Sequence, residues 1–233
     1  IGESPLIPNN KQKEALNRIL PVVDSSEYGA FLLQGVTGSG KTEVYLQAIA
    51  HCLSLGRKAI VLVPEISLTP QTLSRFLARF PGRAAVLHSR LSQSEHKRVW
   101  WGIHSGYYDV VIGSRSAIFA PIRPLGLIVV DEEHEWTYKQ QDHEPRYHAR
   151  AVALRMAQHT RGVVLLGSAT PDIGTYRRAL SGKGLTLLTL PDRISYKRSH
   201  KLDRGLKVYV DESVEQPQPG SMAQVRVVDM REE

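Results

Sequence analysis

The sequence predicts an α/β fold in which a mostly parallel β-sheet carries helices on both faces. Short apolar runs are the first observation, because uninterrupted runs of this kind are typical of strands that are covered on both sides. They occupy residues 30–34, 59–63, 84–88, 109–113, 125–130 and 163–166. Segments with apolar residues at helical spacing lie between these runs, which is the second observation and indicates repeated strand-helix units.

Helix signals accompany the strands in chain order. Residues 15–20 form one apolar helical face before the first strand, and Pro21 is expected to end that helix. Ser92 and Glu95 form a capping box that opens a later helix. The other predicted helices cover residues 44–53, 73–80 and 152–156.

A glycine-rich loop follows the first predicted strand. The segment Gly35–Thr42 has the sequence GVTGSGKT and fits the phosphate-binding pattern G-x-x-x-x-G-K-[ST] at every fixed position. Gly38 and Gly40 permit the positive φ that turns backbone N–H groups towards a polyphosphate. Lys41 is expected to contact the β- and γ-phosphates, and the Thr42 hydroxyl to bind Mg²⁺. The alternative, an ordinary Gly/Ser turn, does not explain a match placed between a strand and a helix.

An acidic cluster follows the most apolar strand, residues 125–130. Asp131, Glu132, Glu133 and His134 lie where open α/β sheets bind ligands. Asp131 is placed to hold a Mg²⁺ ion, and Glu132 to take a proton from an attacking water. A solvated acidic turn would explain three carboxylates, but not their position after a strand of the sheet that also carries Lys41.

Polar segments follow three other strands. Small hydroxyls in the segment 64–71 either bind a phosphate of a nucleic-acid strand or cap the next helix through Ser67 or Thr69. Arg115 either binds a phosphate or pairs with a carboxylate. The segment 167–171, GSATP, brings the hydroxyls of Ser168 and Thr170 beside the acidic cluster, where they can join the His134 side of the nucleotide site to a second ligand.

The polar loop after His134 is rich in aromatic and basic residues. Aromatic rings suit base stacking, and cations between them suit neutralisation of a nucleic-acid backbone. The alternative is that the rings fill the core. The predicted DNA-contacting side chains of this loop are Trp136, Tyr138, Lys139, Arg146 and Tyr147.

Charge and cysteine content limit the function classes. Lys and Arg number 30 against 23 Asp and Glu, a formal net charge of +7, which favours an anionic partner such as nucleic acid. Cys52 is the single cysteine, so disulfides and a cysteine zinc site are excluded within this chain. Because no apolar run approaches the roughly 20 residues of a membrane span and no secretion signal is visible, we expect a cytoplasmic protein. The first residue is not Met, as in a piece of a longer chain.

The composition changes after Leu190. Residues 193–207 carry six Lys or Arg against one Asp, and residues 211–233 carry six acids against two Arg. We therefore divide the chain into a domain at 1–190, a basic and irregular insertion or linker at 191–224, and a final segment at 225–233 that contains an alternating strand. The basic part either contacts DNA or is a solvated, disordered tail.

The motifs GVTGSGKT, VPEISLTPQ, IGSRSAIFAP, DEEH and GSATP occur in the order found in superfamily 2 helicases. The chain most closely resembles the primosomal replication-restart DNA helicases of that superfamily, which also contain the YKQQ…RYHAR loop and the VVDMRE segment. The resemblance runs from about Gln12 to Leu190 and resumes near Val225.

This resemblance implies a RecA-like P-loop NTPase domain, the first lobe of a bacterial, nucleoid-associated 3′-to-5′ DNA helicase that restarts stalled forks and assembles the primosome. It implies that Lys41, Thr42, Asp131 and Glu132 bind and hydrolyse MgATP, with Gln12 at the adenine. The loop from Trp136 to Tyr147 would sense DNA, and Ser168 and Thr170 would relay that signal. From the residues alone, Gln12 is equally well a solvated surface residue.

The resemblance also implies parts that this sequence lacks: a fork-binding region, a second lobe with arginine fingers and a cysteine-rich zinc region. Implied partners are single-stranded and forked DNA, other primosome proteins and single-stranded-DNA-binding protein. The resemblance implies no membrane partner. The isolated chain is expected to bind MgATP without unwinding DNA. Two alternatives stay open, namely a nucleotide-switched DNA-binding module without turnover and a double-stranded DNA translocase.

Overall fold

The computed structural model describes residues 4–195 and 218–220, and the predicted parallel sheet is present. Its strands are β1 (Gly29–Gly35), β2 (Lys58–Leu62), β3 (Ala84–Leu87), β4 (Val110–Gly113), β5 (Leu125–Val130), β6 (Val163–Ser168) and β7 (Thr186–Leu190). They lie in the order β3-β4-β2-β5-β6-β1-β7, and every neighbouring pair is parallel. The fold class predicted from the sequence is therefore confirmed.

Helices cover both faces of this sheet. They are α1 (Asn10–Asp24), α2 (Lys41–Ser54), α3 (Pro70–Arg79), α4 (Gln93–His104), α5 (Ala149–Thr160) and α6 (Ile173–Leu180). Apolar residues of α1, α2 and α3 pack on one face, and those of α4, α5 and α6 pack on the other. Successive residues of β2 divide between the two cores, with Val61 in the first and Ile60 in the second. This division explains why the strands contain apolar residues at every position.

Two details differ from the sequence-based expectation. Helix α1 continues past Pro21 to Asp24, because a proline in the last turn removes only one donor and the Ser25 N–H still bonds to the Pro21 carbonyl. Strand β7, which the sequence reading did not identify, pairs with β1 at the edge of the sheet. Its partly exposed residues give a weaker apolar run than the central strands do.

The segment after the domain is described only in part. Residues 193–195 (β8) and 218–220 (β9) form a short antiparallel pair. The remainder of the predicted linker and the strand predicted within 225–233 lie outside the described residues. Within the described part of the chain, no helix is long and apolar enough to cross a membrane.

The parallel arrangement brings the loops after β1, β2, β4, β5 and β6 to one edge of the sheet. Strand β6 lies between β5 and β1, with Val130 beside Leu166 and Gln34 beside Ser168. The glycine-rich loop, the acidic cluster and the GSATP segment are therefore neighbours. Only this edge combines all three motifs.

The centre of the sheet should dominate stability. Ile60 on β2 is fully buried, so Ile60→Ala should lower the free energy of unfolding by about 2–5 kcal/mol, through lost burial and the cavity that remains. Leu180→Ala is the control, since Leu180 is 62% exposed and its truncation should change stability by no more than about 0.5 kcal/mol. Urea unfolding measures both. Equal losses of unfolding free energy in the two variants would contradict the expectation that the centre of the sheet dominates stability.

Candidate nucleotide-binding site

The glycine-rich loop joins β1 to α2 and lines a cleft of about 530 Å³. Gly38 and Gly40 have φ values of +81° and +80°, which side chains rarely tolerate. A Cβ on Gly40 would also meet the end of the Gln12 side chain, which would have to move. The cleft is lined by residues 37–43 together with Leu6, Leu46, Arg75, Arg79, Asp131, Glu132 and Ile194.

Lys41 is the first residue of α2 and is only 8% exposed. Its Nζ donates to the Gly35 carbonyl at 2.8 Å and lies 4.0 Å from Glu132 Oε1. The Ser39 hydroxyl is buried and has no hydrogen-bond partner among the described residues. A buried ammonium beside an unsatisfied hydroxyl fits a ligand that is rich in anionic acceptors, as a polyphosphate is.

Asp131 follows β5 and faces the glycine-rich loop. Its Oδ1 accepts a hydrogen bond from the Tyr45 hydroxyl at 3.1 Å, and its backbone carbonyl accepts one from the Tyr138 hydroxyl at 2.7 Å. Burial, followed by the negative charge of Glu132, raises the pKa of Asp131 to about 6. Asp131 and Glu132 thus bring two carboxylates to the lining of one cleft.

Glu132 lies between a cation and an imidazole. One of its oxygens is 4.0 Å from Lys41 Nζ, and the other is 3.7 Å from His134 Nδ1. Its φ of +46° is in the left-handed region, which is uncommon for a residue with a side chain and is frequent at functional sites. Its side chain is 34% exposed, so water can reach the carboxylate.

His134 contacts the GSATP segment directly, through Ser168. His134 Nδ1 and Ser168 Oγ are 2.7 Å apart, and Ser168 is fully buried. The Ser168 hydroxyl also accepts a hydrogen bond from the Thr170 backbone N–H at 3.0 Å. Thr170 therefore joins this network through its backbone, while its side chain is exposed.

Gln12 is not a solvated surface residue, because it is only 1% exposed. Its Oε1 accepts from the Asn9 N–H at 2.9 Å in a capping box, and its Nε2 donates to the Gly40 carbonyl at 3.1 Å. Gln12 thus ties the start of α1 to the glycine-rich loop. The Asn-x-x-Gln spacing was the signal that could have predicted this capping role. Adenine contact by Gln12 stays a prediction.

Glu133 belongs to the domain interior rather than to the cleft. It is fully buried, its Oε1 accepts from the Asp172 N–H at 2.8 Å, and its Oε2 pairs with Arg150 Nη1. It therefore joins β5 to the starts of α5 and α6. The sequence reading missed this role and that of Arg150, since three consecutive carboxylates look alike until the backbone directs each side chain.

Capping accounts for one of the two predicted hydroxyls after β2. The Thr69 hydroxyl accepts a hydrogen bond from the Thr72 N–H at 3.2 Å at the start of α3. Ser67 lies in a short 3₁₀ turn, Glu65–Ser67, that precedes the helix. Phosphate contact by this segment stays a prediction.

Arg115 supports the aromatic-rich loop. Its Nη1 donates to the carbonyls of Thr137 and Lys139 at 3.0 and 2.9 Å. The alternative of a carboxylate partner is wrong for the described structure, because backbone carbonyls take that place. Phosphate binding by Arg115 stays untested, and the observed contact links the loop after β4 to the loop after β5.

The aromatic residues of this loop have different environments. Trp136 is 70% exposed, whereas Tyr138 is 1% exposed and its hydroxyl is used by the Asp131 carbonyl. Base stacking by Tyr138 is therefore a wrong prediction, and the core alternative holds for it. Tyr147 is half-buried and meets Phe119 edge-on at a centroid distance of 4.9 Å.

The basic residues of the loop are engaged to different degrees. Lys139 Nζ donates to the Arg146 carbonyl at 2.8 Å, and Arg146 pairs with Glu144 at 3.0 Å. The side chains of Arg146 and Glu144 are 65% and 76% exposed, so this ion pair contributes little to stability and can exchange for a phosphate.

The sequence matches the family model described as DEAD/DEAH box helicase over residues 9–179. The chain therefore belongs to the DEAD/DEAH box helicase family. Within that family it is a homologue of replication restart protein PriA, which confirms the resemblance drawn from the motifs.

Two relatives and two solved structures define the similarity. Replication restart protein PriA of Bacillus subtilis (strain 168) is 46% identical over 229 residues, covering 98% of this chain and 25% of the relative. The protein of the same name from Chlamydia trachomatis is 49% identical over 187 residues, covering 80% of this chain and 25% of the relative. The chain thus spans about a quarter of the length of these relatives.

Among solved structures, RecG bound to a three-way DNA junction matches with a TM-score of 0.60 and 26% identity, covering 84% of this chain and 25% of that one. The UvsW helicase of bacteriophage T4 matches with a TM-score of 0.55 and 16% identity, covering 81% of this chain and 62% of that one. The second match supports the fold alone.

The raised pKa of Asp131 predicts a pH-dependent stability difference. An unfolded aspartate has a pKa near 3.8, so the folded protein is destabilised by this carboxylate above pH 6, and the penalty fades as the pH falls from 6 towards 4. Asp131→Asn should therefore raise the Tm at pH 7.5 in metal-free buffer, with a smaller gain at pH 4.5. Calorimetry on both proteins checks this. An increase in Tm that is the same at pH 7.5 and pH 4.5 would contradict the raised pKa of Asp131.

Proposed function

We propose that this chain is the ATP-binding lobe of an ATP-dependent 3′-to-5′ DNA helicase that restarts stalled replication forks and assembles the primosome in the bacterial cytoplasm, near the nucleoid. The observation that carries this proposal is the meeting of Lys41, Asp131 and Glu132 in one cleft. In this proposal residues 1–190 are the first lobe, 191–224 an insertion or linker, and 225–233 the start of a second lobe.

The side chains of the cleft fit MgATP. Thr42 and Asp131 offer a hydroxyl and a carboxylate, the oxygen donors that Mg²⁺ prefers, and Mg²⁺ usually takes its other ligands from phosphates and water. When bound, the ion would neutralise the charge that develops on the transferred phosphoryl group. Lys41 would bind the same phosphates, and the loop N–H groups would orient them.

Glu132 is the proposed general base. Its side chain is 34% exposed and close to Lys41, whereas Glu133 is buried and paired with Arg150. Glu132 lies 4.0 Å from Lys41 and 3.7 Å from His134. It would take a proton from a water whose oxygen bonds to the γ-phosphorus, while the bond from that phosphorus to the ADP oxygen breaks. The His134–Ser168 contact would then report the state of this site to the turn after β6.

DNA is the proposed partner on the same edge of the sheet. Trp136 is an exposed aromatic ring in the loop that also carries Lys139 and Arg146, which suits a single-stranded or forked substrate. The formal net charge of +7 agrees with a polyanionic partner, and the structurally similar RecG is described bound to a three-way DNA junction. Other primosome proteins, single-stranded-DNA-binding protein and a zinc region belong to the full-length protein in this proposal.

Hydrolysis should depend on parts beyond this chain. In related NTPases an arginine supplied by a second element contributes about 10³–10⁵ in rate. The isolated lobe should therefore bind MgATP weakly and turn it over near background, and strand separation would require two lobes that close around the nucleotide.

The decisive test is steady-state ATP hydrolysis by the full-length protein with and without single-stranded DNA. We expect DNA to stimulate turnover, and Glu132→Gln to reduce it by about 10²–10⁴-fold while MgATP binding persists. Glu14→Gln is the matched control, because Glu14 lies on α1 with a side chain 66% exposed and should leave turnover unchanged.

Other outcomes select the alternatives. A full-length protein that binds MgATP and never hydrolyses it would be a nucleotide-switched DNA-binding module. DNA-stimulated hydrolysis without strand separation, together with movement along duplexes, would make it a double-stranded DNA translocase.

Trp136 provides the test of the DNA contact. Trp136→Ala should weaken single-stranded DNA binding by about 1–3 kcal/mol, the usual loss for one base-aromatic stack. Trp101→Ala is the matched control, since Trp101 is also exposed, at 62%, but lies on α4 and outside the loop. Fluorescence anisotropy with a labelled oligonucleotide gives both affinities. Equal affinities for wild type and Trp136→Ala would exclude this contact.

A further inference from the structure

Tyr45 is a buried phenol in contact with Asp131, a proposed magnesium ligand. It lies on α2, one helical turn after Lys41, and is only 1% exposed. Its hydroxyl donates to Asp131 Oδ1 at 3.1 Å. No motif of the sequence singled out this residue, and the catalytic roles proposed for the cleft do not use it.

The phenol is the single side-chain hydrogen-bond partner of the Asp131 carboxylate among the described contacts. The backbone of Asp131 contacts the Leu62 carbonyl and the Tyr138 hydroxyl, and the Glu132 backbone N–H also bonds to the Asp131 carboxylate. The terminal torsion of an aspartate is broad and roughly two-fold, so the backbone alone does not orient the two oxygens. The hydrogen bond from the Tyr45 hydroxyl to Oδ1 restricts that torsion.

The neighbouring strand leaves room for this contact. A Cβ on Gly167 of β6 would lie 1.5 Å from the Tyr45 hydroxyl oxygen and 3.4 Å from Asp131 Oδ1. No side chain fits there while the phenol keeps its place. The glycine that begins the GSATP segment is therefore part of the same arrangement, which spans α2, β5 and β6.

We propose that Tyr45 is a positioning residue for Mg²⁺, which holds the Asp131 carboxylate in the orientation that binds the ion, and that Gly167 provides the space for its hydroxyl. This inference rests on the proposed function, because it assigns a role within the MgATP site. Groups that orient a metal ligand typically change metal affinity or activity about 10–100-fold when they are removed.

The test is the Mg²⁺ dependence of nucleotide binding in the full-length protein. A fluorescent ATP analogue is titrated at increasing Mg²⁺ concentrations and, separately, in EDTA. Tyr45→Phe removes only the hydroxyl, and we expect it to raise the half-saturating Mg²⁺ concentration about 10–100-fold. Nucleotide affinity in EDTA should be unchanged, which a general structural defect of the cleft would not produce.

Tyr28→Phe is the matched control. The Tyr28 hydroxyl is also buried, but it has no hydrogen-bond partner among the described residues and does not line the cleft. This variant should keep the wild-type Mg²⁺ dependence.

Three results would overturn the inference in distinguishable ways. If the wild type shows no Mg²⁺-dependent nucleotide binding, the proposed function itself fails. If the wild type shows it and Tyr45→Phe has the same half-saturating concentration, the positioning role alone is wrong. A Tyr45→Phe variant that loses affinity equally with Mg²⁺ and in EDTA would mean that the phenol supports the whole cleft rather than the metal ligand.

Discussion

The candidate site depends on the parallel hydrogen bonding of β5, β6 and β1. Because these three strands lie side by side and run in one direction, their carboxyl ends open at the same edge. Asp131, Ser168 and the glycine-rich loop, which lie at or just after these ends, then meet without long connecting segments. An antiparallel β6 would carry Ser168 to the opposite edge and leave His134 without its partner. Ligand sites at the carboxyl ends of open parallel sheets follow from the same geometry.

Several charged side chains lie together at the carboxyl ends of the strands. Lys41 and Glu133 are buried, and Asp131 is half-buried. These charged groups differ in how fully their charge is compensated by partners. Glu133 is satisfied by Arg150 and by the Asp172 N–H, so it stabilises the packing of α5 and α6. Asp131 keeps a raised pKa because only part of its charge is compensated within the chain. Uncompensated charge of this kind favours a cationic ligand over an empty site.

Hydroxyl groups connect the polar elements of the cleft. Tyr45 joins α2 to Asp131, Tyr138 joins the aromatic-rich loop to the same residue, and Ser168 joins β6 to His134. The loop that carries exposed Trp136 is therefore attached to the proposed metal ligand through Tyr138, two residues away. Arg115 holds the same loop from the neighbouring strand. Tyr138 and Arg115 thus give this loop a short physical connection to the candidate site.

The sequence by itself determined the fold class, the glycine-rich loop and the identity of Asp131 and Glu132 as the residues after a buried strand. These features are local, because strand periodicity, positive-φ glycines and a fixed motif spacing do not depend on distant contacts. Only the tertiary structure showed which of several similar neighbouring side chains are buried and which line the cleft. Glu133 lies in the core, whereas Glu132 lies in the cleft. Tyr138 is buried, whereas Trp136 is exposed. The Gln12 side chain bonds to the Gly40 carbonyl. Those outcomes depend on which elements pack together, and so does the contact of Tyr45 with Asp131, 86 residues apart in the chain.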